Sequence, residues 1–162
     1  MHYLGCGKIA ERHANLLASG EIAGARLASI CDINPEQARI FGDRYNVPFF
    51  TGIDEMMRSV NPDAISVLTP GGSHAENTIL LASYGKPIVV EKPMALRLDD
   101  ADAMLKACDG NACRLFIVKQ NRFNVPVVKL RAALEEGRFG RLVMGSVRVR
   151  WSRWQAYYDA AK

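Results

Sequence analysis

The sequence predicts an α/β fold: a doubly wound parallel sheet followed by the truncated start of an α+β domain with a mostly antiparallel sheet. Three observations carry that prediction. Short apolar runs alternate with helix-period segments through the first two thirds of the chain, which is the pattern of βαβ units. Gly5-Cys6-Gly7-Lys8-Ile9-Ala10 stands between the first apolar run and the first helical segment. Near the other end, residues 142–152 alternate with period 2, which marks a strand with one buried and one wet face.

Taken in order, the first strand can only be residues 2–4, and the helix after the glycine turn is expected over 10–19, with Gly20 as its stop. Residues 26–31 form a second strand that ends at Asp32. Asn34, Pro35 and Gln37 then supply an N-cap, a first-turn proline and a capping-box partner. Residues 47–50 read as a short strand, and Thr51 stands where it can cap a helix through Asp54, Met56 and Met57. Residues 64–68 form a buried strand broken by Thr69-Pro70-Gly71-Gly72, and the next helix runs over 74–84 to a stop at Gly85. The strand at 88–90 is therefore parallel to its predecessor. Asp99 is expected to cap a helix reaching Cys108, residues 115–118 add a strand, and 127–136 are helical with stops at Gly137 and Gly140. On the long strand, Val143, Gly145, Val147, Val149 and Trp151 share one face and Met144, Ser146, Arg148, Arg150 and Ser152 the other. Only ten residues follow it. A lone strand is unstable, so the expectation is an N-terminal fragment whose second domain has barely begun, and the short first strand suggests clipping there too.

With 162 residues, 49% hydrophobic and 23% charged, the chain suits one domain or one domain with part of another. The expected division is 1–120, a cofactor domain, and 121–162, the start of a substrate and oligomerisation domain. No apolar run approaches a membrane span and no signal-peptide pattern opens the chain, so the reading is cytoplasmic with no membrane partner. Cys6, Cys31, Cys108 and Cys113 lack metal or redox spacing, and with three histidines and no HExxH no metal site is expected. Residues 1–113 carry 10 basic and 14 acidic side chains, and residues 114–162 carry 11 and 3. The basic arginines alternate along a strand pattern without clustered aromatics, which argues against nucleic acid.

Chemistry gathers at three places. In the glycine motif, Gly5 permits a tight turn, Gly7 a close backbone approach to pyrophosphate and Ala10 close helix packing, while Cys6, Lys8 and Ile9 complete the loop. A plain tight turn is the alternative. Asp32, ending the second strand, can accept both ribose hydroxyls of NAD and repel the 2′-phosphate of NADP; alone it is a turn acid. Thr69, Pro70 and His74 lie at the end of the strand at 64–68, where Thr69 can reach a ribose or phosphate and His74 is either a cofactor contact or a helix-start residue. His13 reads as structural. Glu91-Lys92-Pro93 follows the 88–90 strand directly. Pro93 ends that strand and constrains the residue before it, so Lys92 occupies a defined position at the ligand-binding edge of the sheet.

These motifs, with Gly85-Lys86-Pro87 leading into Glu91-Lys92-Pro93, resemble the Gfo/Idh/MocA oxidoreductase family over essentially the whole chain. Within it, Val118-Lys119-Gln120-Asn121-Arg122, Arg138-Phe139-Gly140-Arg141 and Tyr157-Tyr158-Asp159-Ala160-Ala161 are similar to bacterial UDP-N-acetylglucosaminuronate 3-dehydrogenases. The resemblance implies a Rossmann domain, NAD as cofactor, a sugar or nucleotide-sugar substrate, a homo-oligomer (dimer or tetramer) and hydride transfer from a sugar C3 to NAD. It places Lys92 at the reacting hydroxyl as a proton shuttle, its pKa lowered by the nicotinamide cation and partial burial. Glu91 and Asn121 would line the cofactor or substrate side, and Lys119, Arg122, Tyr157 and Tyr158 would meet the substrate, although the tyrosines are equally core aromatics. The family's second catalytic group, a histidine on a DxxxH helix, would lie beyond Lys162, so the chain is expected to bind NAD and be inactive alone. The alternatives are an NAD(H)-sensing module without catalysis, and a dehydrogenase of inositol, glucose or another polyol.

Overall fold

Runs such as Ile65-Ser66-Val67 and Ile88-Val89-Val90, hemmed in on both sides, form strands of two or three residues joined by helices. The computed structural model describes residues 1–159 of the chain. In order these are β1 (His2–Leu4), α1 (Lys8–Ala18), β2 (Ser29–Cys31), α2 (Pro35–Tyr45), β3 (Phe49–Phe50), α3 (Ile53–Ser59), β4 (Ile65–Val67), a 3₁₀ turn (Gly71–Ser73), α4 (His74–Ala82), β5 (Ile88–Val90), α5 (Leu98–Gly110), β6 (Leu115–Ile117), α6 (Val125–Glu135) and α7 (Gln155–Asp159). One compact unit, Met1–Lys119, holds all six strands, and a second begins at Gln120.

The sheet order is β3-β2-β1-β4-β5-β6 with every pair parallel. Strand order reverses between β1 and β4, which is where an open α/β sheet forms its ligand crevice. Register sorts the side chains into two cores. Leu4, Cys31, Val67 and Val90 align across the sheet and pack with Met56, Leu81, Met104 and Cys108. One residue back, Tyr3 and Ile30 point to the opposite face, against Ala10, Ala14 and Leu17 of α1 and Phe41 of α2. The small residues on α1 let that helix approach β1 closely.

Local signals explain most boundaries. Asn34 Oδ1 accepts the amides of Glu36 (3.0 Å) and Gln37 (3.2 Å) with Pro35 opening α2, a cap of the kind that contributes about 1 kcal/mol. Several expectations need correction. The ladder of β2 begins at Ser29 rather than at 26, because β1 offers three residues to pair with. Gly52, not Thr51, caps α3, and Arg97, not Asp99, caps α5; Asp99 sits in the first turn and accepts from Arg97 Nη2 at 3.3 Å. Helix α1 starts at Lys8, inside the glycine motif.

The predicted strand over 142–152 does not form: residues 142–154 have no regular secondary structure and Val143 and Val147 are each 90% exposed. Its physical reason is the absence of a partner, because no other described segment after Gln120 forms a ladder with it. Ala160, Ala161 and Lys162 lie outside the described residues.

Two buried features are testable. Gly5 has φ +100°, and a Cβ there would lie 2.9 Å from both Leu68 C and Thr69 N. The clash is with the Leu68–Thr69 backbone, which has no flexible side chain to give way, so Gly5→Ala should destabilise by about 1–3 kcal/mol or more and lower Tm by several degrees in a calorimetric scan. His2 is 2% exposed, with its Nδ1 against Ser29 Oγ, and burial, reinforced by the N-terminal ammonium, lowers its pKa to about 4. The unfolded chain holds that ring near 6.5, so its stabilisation is present above pH 6.5 and fades as pH falls towards 4. Denaturant titrations of wild type and His2→Asn at pH 7.5 and 4.5 should differ in pH slope, the wild type losing on the order of 2–3 kcal/mol more.

Candidate active site

The carboxyl ends of β1, β2 and β4 carry a set of backbone and carboxylate groups that hold one another in place. Asp32, at the end of β2, accepts the amide of Cys6 through Oδ2 at 2.7 Å and that of Asn34 through Oδ1 at 2.9 Å. Such charge-assisted bonds tie the glycine loop to β2. Gly5 donates its amide to Cys31 O at 2.8 Å, and Leu68 donates to Leu4 O at 2.8 Å. The loop is thus bonded on both sides. Cys6 is buried and its amide is spent on Asp32, so it shapes the loop; burial foremost, with the Asp32 charge beside it, pushes its thiol up to about 12.

Above this edge opens a cleft of about 840 Å³. Gly5, Gly7, Lys8 and Ile9 form one wall, Asp32, Ile33 and Asn34 another, and Leu68, Thr69, Pro70 and Asn77 a third. Gly7 caps α1 without a side-chain bond, and a Cβ built on it meets nothing within 4 Å. The first-turn amides of α1 therefore face the cleft with no capping acceptor, together with the helix's positive end. The Lys8 side chain is exposed beside them. Thr69 Oγ1 accepts from Asn77 Nδ2 at 3.1 Å and keeps its own proton to donate. A second depression of about 450 Å³, between the end of α2 and β3, is lined by residues such as Asn46, Pro48 and Phe49 and presents no helix N-terminus.

These features fit a dinucleotide. The open space at Gly7, the unclaimed amides and Lys8 suit pyrophosphate. The Asp32 oxygens each accept one amide and retain lone pairs for ribose hydroxyls. Ile33 and Ile53 add an apolar wall of the kind a planar base requires.

At the end of β5, Glu91 is 6% exposed and its carboxylate is divided: Oε1 meets His13 Nε2 at 2.8 Å and Oε2 accepts the Lys92 amide at 3.0 Å. The Lys92–Pro93 peptide is cis. Lys92 is exposed, which differs from the partial burial expected of it. His74 is 1% exposed, with Nδ1 2.7 Å from Pro93 O and Nε2 2.8 Å from Thr69 O. Each ring nitrogen thus lies within hydrogen-bond distance of a backbone carbonyl. His74 therefore has no polar atom left for a cofactor and acts as a strut between the loops after β4 and β5. Glu91 likewise faces inward, where sequence reasoning aimed it at a ligand.

Sequence reasoning missed Asn77, and it read His13 as structural without finding its partner Glu91. Ala10, His13, Ala14 and Leu17 follow the i, i+3, i+4, i+7 spacing of a buried helical stripe, and an imidazole in such a stripe requires a polar partner. That signal was available.

Lys119 is exposed just past β6. In the second unit, Asn121 Oδ1 accepts from Asn124 Nδ2 at 3.2 Å, and Arg122 is exposed. Tyr157 and Tyr158 meet edge to face at 5.4 Å, with the Arg153 guanidinium 5.1 Å over Tyr157. Both tyrosines are exposed rather than core aromatics. The four cysteines are free and buried, and among the described residues no group of three or more metal-ligating side chains gathers.

Known proteins share this architecture. The WlbA dehydrogenase of Bordetella pertussis, solved with NADH and UDP-GlcNAcA, superimposes with a TM-score of 0.90 at 41% identity, over 98% of this chain and 48% of that one. The WlbA dehydrogenase of Chromobacterium violaceum, also solved with NADH and UDP-GlcNAcA, gives 0.91 at 36% identity, over 98% and 46%. Inositol 2-dehydrogenase of Rhizobium meliloti is 30% identical over 144 residues, 89% of this chain and 43% of that protein. The chain thus spans less than half the length of these relatives. Residues 3–119 match the family model described as an oxidoreductase family with an NAD-binding Rossmann fold, and the chain belongs to that family, the Gfo/Idh/MocA oxidoreductases.

Proposed function

We propose that this chain supplies the cofactor-binding half of an NAD-dependent dehydrogenase that oxidises a sugar hydroxyl, C3 of a UDP-N-acetyl sugar acid. The observation that carries the reading is the single sheet edge on which the Gly7 amide cradle, the Asp32 carboxylate and Lys92 all lie. Identity of 41% to a dehydrogenase crystallised with NADH and UDP-GlcNAcA supports the nucleotide-sugar substrate. The 30% identity to inositol 2-dehydrogenase supports a second reading, a polyol substrate for the same edge.

NAD, when bound, supplies the hydride acceptor. The chain's own residues do the rest. The first-turn amides of α1 and the Lys8 ammonium hold pyrophosphate, Asp32 accepts from ribose hydroxyls and disfavours a 2′-phosphate, and Thr69 donates to the cofactor from the β4 end. Lys92 Nζ takes the substrate hydroxyl proton as the C–H bond gives up its hydride, leaving a carbonyl and an ammonium. Lys119, Asn121, Arg122, Tyr157 and Tyr158 are assigned to the substrate side, where the arginine would pair with a carboxylate or phosphate. In this reading residues 1–120 serve the cofactor, residues after them begin the substrate domain, and the working protein is a homo-oligomer.

NADH fluorescence should saturate on titration with the chain, and the absence of any saturable change would count against the cofactor assignment. Gly7→Ala should leave Tm within a degree or two, because its Cβ meets no protein atom, yet weaken NADH binding at least tenfold by filling the phosphate cradle. In protein that turns over the UDP-sugar acid, Lys92→Met should lower kcat by about 10²–10⁴-fold, the usual share of a general base, with NADH affinity retained; unchanged kcat would remove Lys92 from the chemistry.

A further inference from the structure

We infer that His13 is a positioning residue for Lys92: its Nε2 holds Glu91 Oε1, the other oxygen of that carboxylate holds the Lys92 amide, and the main chain carrying the amine is thereby anchored to α1. The inference rests on the proposal that Lys92 handles the substrate proton, and it adds a residue that the glycine motif and the Glu91-Lys92-Pro93 element do not contain.

The geometry is specific. A carboxylate as buried as that of Glu91 must be hydrogen-bonded. Its two oxygens serve two different donors, the His13 ring at 2.8 Å and the Lys92 amide at 3.0 Å. Removing either donor would free the carboxylate to turn. The His13 ring is itself fixed edge-on against buried Tyr3, at 6.3 Å between centroids and 89° between planes. His13 thus reaches Glu91 from a set direction rather than as a mobile surface group.

Position along α1 lends this contact its functional weight. Gly7 and Lys8 form the phosphate cradle at the start of the helix, and His13 lies six residues on from Gly7, about 9 Å along the axis at 1.5 Å per residue. One rigid helix therefore sets both the place of the cofactor phosphates and the path of the chain through Lys92. At the far side of the tripeptide, His74 braces Pro93 O. The amine-bearing residue sits between two histidine contacts from two different helices.

Amide hydrogen exchange on the isotopically labelled 162-residue chain tests the inference without turnover. In His13→Ala the Lys92 amide should exchange at least tenfold faster. The adjacent Glu91 amide, which bonds Val67 O at 3.1 Å in the ladder, should keep its rate, and NADH affinity should stay within threefold. His13→Gln, whose carboxamide N–H can replace Nε2, should restore Lys92 protection. If the alanine variant does not fold, His13→Asn, too short to reach Glu91, takes its place with the same expectation. An unchanged Lys92 rate, or Lys92 and Glu91 amides accelerating together, overturns the inference by showing no anchor or only a general loss of stability. Failure of the chain to bind NADH would strike the functional reading and leave the exchange result on the anchor intact.

Discussion

The close backbone contact of Gly5 with Leu68 and Thr69 is the constraint on which the rest of the site depends. It brings the end of β1 level with the end of β4, while Gly5 N–H to Cys31 O keeps it level with β2. Three parallel strands therefore stop at one line. Cys6 can then give its amide to Asp32, Gly7 can open α1, and Thr69 can stand across from both. A side chain at position 5 would push these strands apart and the cleft would lose its common floor.

A second layer of bonds transmits this order to Lys92. Thr69 and Pro93 are joined through His74, and Glu91 is joined to α1 through His13. The loops after β4 and β5 are thus tied to each other and to α1 by the side chains of His74 and His13. The Cys6 amide, the His74 ring and the Glu91 carboxylate are each hydrogen-bonded within the protein. Gly7, Lys8, Asp32 and Thr69 are among the residues that line the cleft.

How much of this was legible in the sequence differed by kind of signal. Parallel pairing follows from alternation of apolar runs with helices, whereas the strand order does not, since alternation fits more than one doubly wound order. The Asn34-Pro35 start of α2 was readable because side-chain chemistry dictates it, but the reciprocal capping-box bond expected of Gln37 is replaced by Asp32 Oδ1, which accepts the Asn34 amide. Helix starts without a capping side chain, at Gly52 and Arg97, were not readable, because Thr51 and Asp99 close by carry the better capping side chains. The glycine loop and Asp32 were readable as a pair because their spacing is tied to one βαβ unit. The inward turn of Glu91 and His74 was not, since nothing local distinguishes a buried carboxylate or imidazole from an exposed one; it takes the tertiary meeting of α1, β4 and β5. Period 2 over 142–152 was real, but a strand exists only as a pair, and periodicity alone cannot provide the partner.

Sheet edge, glycine cradle and ribose carboxylate together make one claim, that this crevice is the dinucleotide site. The most direct test is a two-dimensional amide NMR titration of the chain with NADH. The account predicts that shifts concentrate at Gly5 to Ile9, Asp32 to Asn34 and Thr69, along the line where β1, β2 and β4 end. Shifts centred instead on the depression at Gly42 to Phe50, or none at saturating NADH, would contradict it.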